Sequence, residues 1–228
     1  QKLVQECLQP FASDQILDLA AGTVDVGLLV AEHLEAAGSS TASIKGVDPS
    51  RRMLEQGVSK ANESSLHDYL HLYHGYAEDL SSLRKADSPT LEADSTSIAD
   101  ESVDKIAIAF GIRHISNLKQ ALKEIHRVLR RPSGRLCILD SSLSPDEGLL
   151  PDIMRQAATS VSYFVRRVAA AIPSWRQADS EMFDDILHFP TPLEFAGLLA
   201  REGLPVQKIT SFAFGTVHLY QAAPMALT

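Results

Sequence analysis

The chain has 228 residues, 45% of them hydrophobic and 22% charged, with a formal net charge of −8. That size and balance suit one α/β domain, or two small ones, and exclude wholesale disorder, while the acidic charge argues against nucleic acid as the main partner. Two cysteines, Cys7 and Cys137, form no Cys-x-x-Cys pattern, which excludes a disulfide scaffold and a cysteine-rich zinc site and suits a reducing compartment.

Along the chain, Leu3, Val4, Cys7 and Leu8 keep helical spacing up to Pro10. Ile16 to Ala20 is a short apolar run before Gly22, predicted as a buried strand. Val26, Leu29, Val30 and Leu34 then follow helical spacing until Gly38. Ser43 to Val47 is a second strand ending at Asp48, followed by a helix with Ser50 as N-cap and Met53, Leu54 and Val58 on its inner face. Tyr69 to Tyr73, Lys105 to Phe110 and Arg135 to Asp140 read as three further strands, with a helix from Leu118 to Leu129. The polar stretch Ser81 to Ser102 keeps no apolar period and is expected to be a mobile surface insertion. Gly148 to Gly203 is predicted to be a helical lid or substrate region, and Val206 to Ile209 with Phe212 to Tyr220 to form two closing strands. Alternating strands and helices imply a mostly parallel sheet with helices on both faces, ending in an antiparallel hairpin. No apolar run approaches the roughly 18 residues of a membrane span. Because the chain starts at Gln1, its amino terminus is expected to be trimmed, so targeting signals are not informative.

In an open α/β sheet a ligand binds beyond the carboxyl ends of the strands, where strand order reverses. The first turn there runs Asp18-Leu-Ala-Ala-Gly22-Thr23-Val24-Asp25. Gly22 lets backbone approach a ligand, and Thr23 and Asp25 offer polar groups at a helix start. The Gly-x-Gly-x-x-Gly pattern of dinucleotide sites is absent, so a ligand without a pyrophosphate fits better. Asp48 can accept bonds from both hydroxyls of a ribose, or it can simply cap the following helix; Met53 can pack on an adenine face or lie in the core. His67, His71 and His74 fall on a segment read mainly as strand, where they would not converge on a metal, and no metal site is predicted.

These residues carry a resemblance. Asp18 to Asp25 resembles motif I of S-adenosylmethionine-dependent methyltransferases. Asp48-Pro-Ser50-Arg-Arg-Met53-Leu54 is similar to the acidic strand end and Ser-x-x-Met-Leu that follow it. Phe110-Gly-Ile-Arg113-His114, the helix Ala121 to Leu129 with Gly134-Arg-Leu, and Phe189-Pro190 resemble the UbiE/MenG-type C-methyltransferases of ubiquinone and menaquinone biosynthesis. The likeness runs from about Ile16 to Tyr220 and implies a single Rossmann-like class I methyltransferase domain. It implies S-adenosylmethionine as cofactor, S-adenosylhomocysteine as product, and contacts from Asp18, Gly22, Thr23, Asp25, Asp48, Met53, Ala77, Glu78 and Phe110. The chain departs from the family at Val24, usually glycine, and at His114, usually asparagine. Asp185, within the altered segment Glu181 to His188, stands where a serine is expected. The family's cofactor-covering amino-terminal helices are expected to be missing here.

The resemblance further implies methyl transfer to a ring carbon of a prenylated quinol. Arg113 is expected to stabilise a phenolate or orient a water, since a guanidinium stays charged. His114 is the nearest proton acceptor, and Asp140, where the family has glutamate, would orient Arg113 or a water. Other acceptors, or a non-catalytic lipid-binding member of the fold, are the alternatives. A lipid-tailed substrate brings the expectation of peripheral membrane contact, with a homodimer or a quinone-biosynthesis complex as candidate assemblies. The matrix side of the mitochondrial inner membrane is the expected location, with bacterial cytoplasm as the alternative.

Overall fold

A computed structural model describes residues 1–39, 43–64, 66–86, 95–142 and 189–225. Its nine described strands are β1 (Gln15–Leu19), β2 (Ser43–Asp48), β3 (Leu70–Tyr76), β4 (Asp79–Lys85), β5 (Ser95–Thr96), β6 (Lys105–Ala109), β7 (Arg135–Ser141), β8 (Val206–Phe212) and β9 (Val217–Ala222). They form one sheet in the order β5-β4-β3-β2-β1-β6-β7-β9-β8. The pairings from β3 through β7 are parallel, whereas β4 and β5 at one side, and β9 and β8 at the other, are antiparallel. The parallel sheet and late hairpin are therefore as expected from the sequence.

Strand alternation divides the core into two faces. Leu17, Leu19, Ile106, Ile108, Leu136 and Ile138 point to one side, against α3 (Leu118–Val128) and α4 (Pro192–Arg201). Their neighbours Ile16, Ala107 and Cys137 point to the other, against α1 (Asp25–Ala36) and the helical turn Leu3–Leu8. Beside α1 lies α2 (Arg51–Glu63), which buries Leu54 with Val24 and Leu72. Side chains cap these helices where the sequence offers them. Ser50 accepts from the Met53 N–H and Asn117 from the Gln120 N–H, and Thr191 with Glu194 forms a capping box.

Three expectations are corrected. The stretch 81–102 is not simply an insertion, because 79–85 is β4 and Ser95–Thr96 pairs with it. Between the pairs His74–Arg84 and Tyr76–Asp79 the chain advances two residues on β3 and five on β4. That irregularity lets Leu80 and Leu83 both reach the core, so no two-residue period is left to read. Cys7 and Cys137 are not free thiols. They form a disulfide with a Cα–Cα distance of 6.0 Å, because the turn Leu3–Leu8 lies across β7. Met53 does not sit on the inner face of α2; it is 43% exposed. Gln1 to Val4 line the large cleft described below. The proposed lid over 148–188 and the altered segment 181–188 lie outside the described residues.

Ile98, only 2% exposed, packs in the same cluster as Leu80 and Leu83 and donates its N–H to the Leu80 carbonyl. Ile98→Ala is expected to cost about 2–5 kcal/mol of stability, read as a lower Tm. An unchanged Tm would mean that this segment adds nothing to the body.

Candidate functional site

Strand order reverses between β1 and β6, because the chain leaves β1 for β2 on one side and later returns to β6 on the other. A cleft of about 920 Å³ opens beyond the carboxyl ends of these strands. It is lined by the turn after β1, by Asp48, Ser50 and Met53 after β2, by Gly75 to Glu78 after β3, and by Phe110, Gly111 and His114 after β6. The late hairpin closes one side with Phe212, Ala213 and Val217. Every expected cofactor contact therefore lines this cleft: Asp18, Gly22, Thr23, Asp25, Asp48, Met53, Ala77, Glu78 and Phe110.

Close approach of backbone shapes the floor. A Cβ on Gly111 would lie 2.5 Å from the Ala20 Cβ, so the turns after β1 and β6 meet only because residue 111 is glycine. Gly22 has φ +54°, and a Cβ there would reach 3.0 Å from the Met53 Cε. Phe110 also takes a left-handed backbone, with φ 56°, and is 46% exposed at the cleft. For a bulky residue that conformation costs energy, and such strain clusters at ligand sites.

The carboxylates are held in distinct ways. Asp48 Oδ2 accepts the Gly22 N–H at 2.8 Å and Oδ1 accepts the Ser50 N–H at 2.7 Å. Each oxygen keeps a second lone pair for a ligand hydroxyl, so Asp48 serves both the local turn and the cleft. Asp18 Oδ2 accepts the Gly27 N–H at 3.0 Å. Burial, with a smaller push from the Asp48 charge, raises the Asp18 carboxyl to about 7. At the mouth, Lys60 Nζ donates to Asp25 Oδ1 at 2.7 Å and to Thr23 Oγ1 at 2.9 Å. The Lys60 bond holds the Asp25 carboxyl below its usual range. Sequence reasoning missed Lys60, and its position in α2 carries no local signal of this partnership.

The proposed catalytic trio separates. A short helical turn, Ile112–His114, follows β6. His114 lines the cleft, but Arg113 does not. The Arg113 side chain is 6% exposed, with Nη2 3.3 Å from Asp140 Oδ1 and Nη1 donating to Ser141 Oγ at 2.6 Å. Direct contact between Arg113 and an acceptor ring is therefore corrected: its two terminal nitrogens face β7 behind the cleft wall, and among the described residues no hydrogen bond reaches its buried Nε. Asp140 thus lies beside Arg113, behind the wall of the cleft. Burial raises the Asp140 carboxyl, against the lowering pull of Arg113, the Ser141 N–H and His114. His67 lies in a short helical turn, and His71 and His74 lie on β3. Among the described residues no three metal-ligating side chains gather.

Similar architecture occurs in solved structures. A SAM-dependent methyltransferase from Aquifex aeolicus superposes with a TM-score of 0.59 at 15% identity, covering 93% of this chain and 82% of that one. The [4+2]-cyclase SpnF gives a TM-score of 0.64 at 13% identity, covering 98% and 79%. Sheet order, cleft and acidic wall define an S-adenosylmethionine-dependent methyltransferase fold, and the residues fit that cofactor. Gly22 leaves the space that a Cβ would fill, Asp18 is a buried carboxylate suited to a cation, and Asp48 is placed for paired hydroxyls. The pattern of the ubiE/COQ5 methyltransferase family matches residues 1–223, and the chain belongs to that family. It is 31% identical over 208 residues to the ubiquinone/menaquinone biosynthesis C-methyltransferase UbiE of Geotalea daltonii, covering 90% of this chain and 77% of the relative. It is 33% identical over 127 residues to a demethylmenaquinone methyltransferase of Listeria welshimeri, covering 56% and 44%.

Asp48→Ala is expected to weaken S-adenosylhomocysteine binding by about 2–3 kcal/mol. It should also lower Tm, because the Gly22 and Ser50 N–H groups lose their acceptor. Asp48→Asn should keep part of both. Unchanged affinity in Asp48→Ala by calorimetric titration would remove the ribose assignment.

Asp18 gives a pH dependence. Its folded value lies above the free one, so its stabilising contribution is present at low pH and fades as pH climbs through about 7. A ligand ammonium favours the ionised form. Affinity for S-adenosylhomocysteine should therefore rise about tenfold per pH unit between about 5 and 6 and level off above about 7. Asp18→Asn should flatten that slope; a slope surviving the substitution would assign it to another group.

Proposed function

We propose that this enzyme methylates a ring carbon of a prenylated quinol, with S-adenosylhomocysteine as the spent product. The observation that carries the reading is the family match over residues 1–223, joined to a cleft of about 920 Å³ with both acidic and apolar lining. When bound, the cofactor supplies an electrophilic methyl group on a sulfonium.

The chain's own residues would do the rest. Asp18 and Asp48 hold the cationic and hydroxyl ends along one wall. Leu3, Val4, Ile115, Leu139, Phe212 and Val217 give the cleft apolar surface against which an aromatic ring can exclude water. Arg113 fixes Asp140 and Ser141, and so holds the turn that carries His114 beside the ring. In-line transfer requires the ring carbon to lie within about 3–3.5 Å of the methyl, which a rigid wall secures better than a mobile one.

A polyprenyl tail stays with lipid, so we further propose peripheral contact with a membrane face. Met53, Tyr76 and Phe110, all exposed at the cleft, supply apolar surface for it. No helix among the described residues is long and apolar enough to cross a membrane. The matrix face of the mitochondrial inner membrane is the proposed location and bacterial cytoplasm the alternative; the relatives named above are bacterial. A homodimer or a quinone-biosynthesis complex is the proposed assembly, supported by the lipid-borne nature of the substrate.

The test is incubation with methyl-labelled S-adenosylmethionine and a panel of demethylated benzoquinols and naphthoquinols of several tail lengths. Mass spectrometry is expected to find the label on a ring carbon. Label on oxygen, or transfer only to acceptors outside the panel, would overturn the quinol assignment.

A further inference from the structure

The segment that brings Gln1 to Val4 to the cleft is tied down at two places. Near its start, Lys2 Nζ lies 4.7 Å from the centre of the Phe212 ring, which also lines the cleft. Near its end, the Cys7–Cys137 disulfide joins it to β7, and Arg135 Nη1 donates to the Cys7 carbonyl at 2.7 Å. Between these ties Leu3, Val4 and Leu8 are buried in the core cluster shared with α1. Leu3 and Val4 line the cleft as well, so any movement of this turn alters the cleft.

The cross-link decides how firmly the turn is held. Burial of its aliphatic side chains and the conformational entropy of ordering Leu3–Leu8 oppose each other and are of similar size. A covalent tie to β7 tips that balance toward the docked turn, because the detached turn then has fewer conformations open to it. Both cysteines are buried, so a reductant reaches sulfur only when the turn lifts from the sheet. Where a compartment keeps thiols reduced, a disulfide that does form usually serves catalysis or redox sensing.

We infer that Cys7–Cys137 is a thiol–disulfide exchange site that takes a dithiol reductant and sets the affinity of the cofactor cleft. One thiolate of the dithiol attacks a sulfur of the pair, the S–S bond breaks, and the other cysteine leaves as a thiolate. The second sulfur of the reductant then closes on the mixed disulfide and frees the first cysteine. The dithiol ends as a disulfide, and the chain has gained its two electrons and two protons. With the tie gone, the turn spends part of its time off the sheet, and a ligand must dock it again to complete the cleft. Reduction therefore weakens binding and, by reciprocity, a bound ligand protects the disulfide. The inference rests on the cofactor assignment of the cleft and is independent of which acceptor is methylated.

The experiment compares the full chain, oxidised and after treatment with dithiothreitol, using S-adenosylhomocysteine as the ligand. Mass spectrometry of unreduced peptides should find Cys7 joined to Cys137; two free thiols after oxidation would remove the site. Calorimetric titration should show binding weaker by about fivefold or more after reduction, and restored on reoxidation. Saturating ligand should slow reduction of the oxidised chain by a similar factor. Hydrogen exchange should rise across residues 3–8 of the reduced chain while β6 and β7 stay protected. Cys7→Ser should bind like the reduced chain and give no further response to dithiothreitol. Equal affinity in both redox states, or one rate of reduction with and without ligand, overturns the inference. Exchange that spreads through β6 and β7 also overturns it, since the disulfide would then be a staple of the whole fold. Failure to bind S-adenosylhomocysteine in either state overturns the cofactor assignment, and the inference with it.

Discussion

The cleft depends on the Asp48 carboxylate. One of its oxygens holds the Gly22 N–H in the turn after β1, and the other holds the Ser50 N–H at the start of α2. The first bond ties the ends of the adjacent parallel strands β1 and β2, beside the point where strand order reverses, and the second fixes the start of α2. They also orient the same carboxylate toward the cleft. Because it is only 6% exposed, leaving those N–H groups without an acceptor would cost desolvation energy as well as geometry. Fold and ligand therefore share one side chain, and a substitution there cannot disturb one without the other.

The turn after β1 solves a second constraint in an unusual way. Val24 has φ 57° and is fully buried, although a β-branched residue in the left-handed region is strained. Its isopropyl group packs with Leu54 and Leu72. A Cβ on Gly57 would come within 3.1 Å of its Cγ2, so that glycine leaves room that Val24 fills. Burial of an aliphatic side chain, worth about 1.5–3 kcal/mol, is of the size needed to offset a strained backbone. The departure from glycine at this position is thus absorbed by packing, and the hydrogen bonds of the turn survive it.

Most of the parallel sheet was legible because each buried strand is a short apolar run closed by Gly or Asp, and each helix keeps its three-to-four spacing. The cofactor wall was legible for the same reason: Asp18, Gly22 and Asp48 stand at strand ends, where topology brings them together. What escaped was whatever depends on distant partners. β4 shows no period because its pairing with β3 is irregular. Cys7 and Cys137 lie 130 residues apart, and only the packing of the first helical turn on β7 joins them. Arg113 was correctly placed beyond β6, but its direction is set by Asp140 and Ser141 on another strand.

The division of charge in the cleft bears on turnover. Asp18, Asp25, Asp48 and Glu78 all line it, whereas the side near the late hairpin is made by Leu139, Phe212 and Val217. In a partly enclosed site such a wall attracts a cationic ligand more strongly than it would in open water. Methyl transfer removes the positive charge from sulfur while leaving the rest of the ligand unchanged. On charge alone, such a wall would favour the cationic donor over the product with neutral sulfur. Apolar surface opposite that wall has no such preference between quinol and methylated quinol, since one methyl group changes burial by only about 0.8 kcal/mol. On the proposed reading of a lipid-tailed acceptor, release of the methylated ring would rely on the lipid phase competing for its tail.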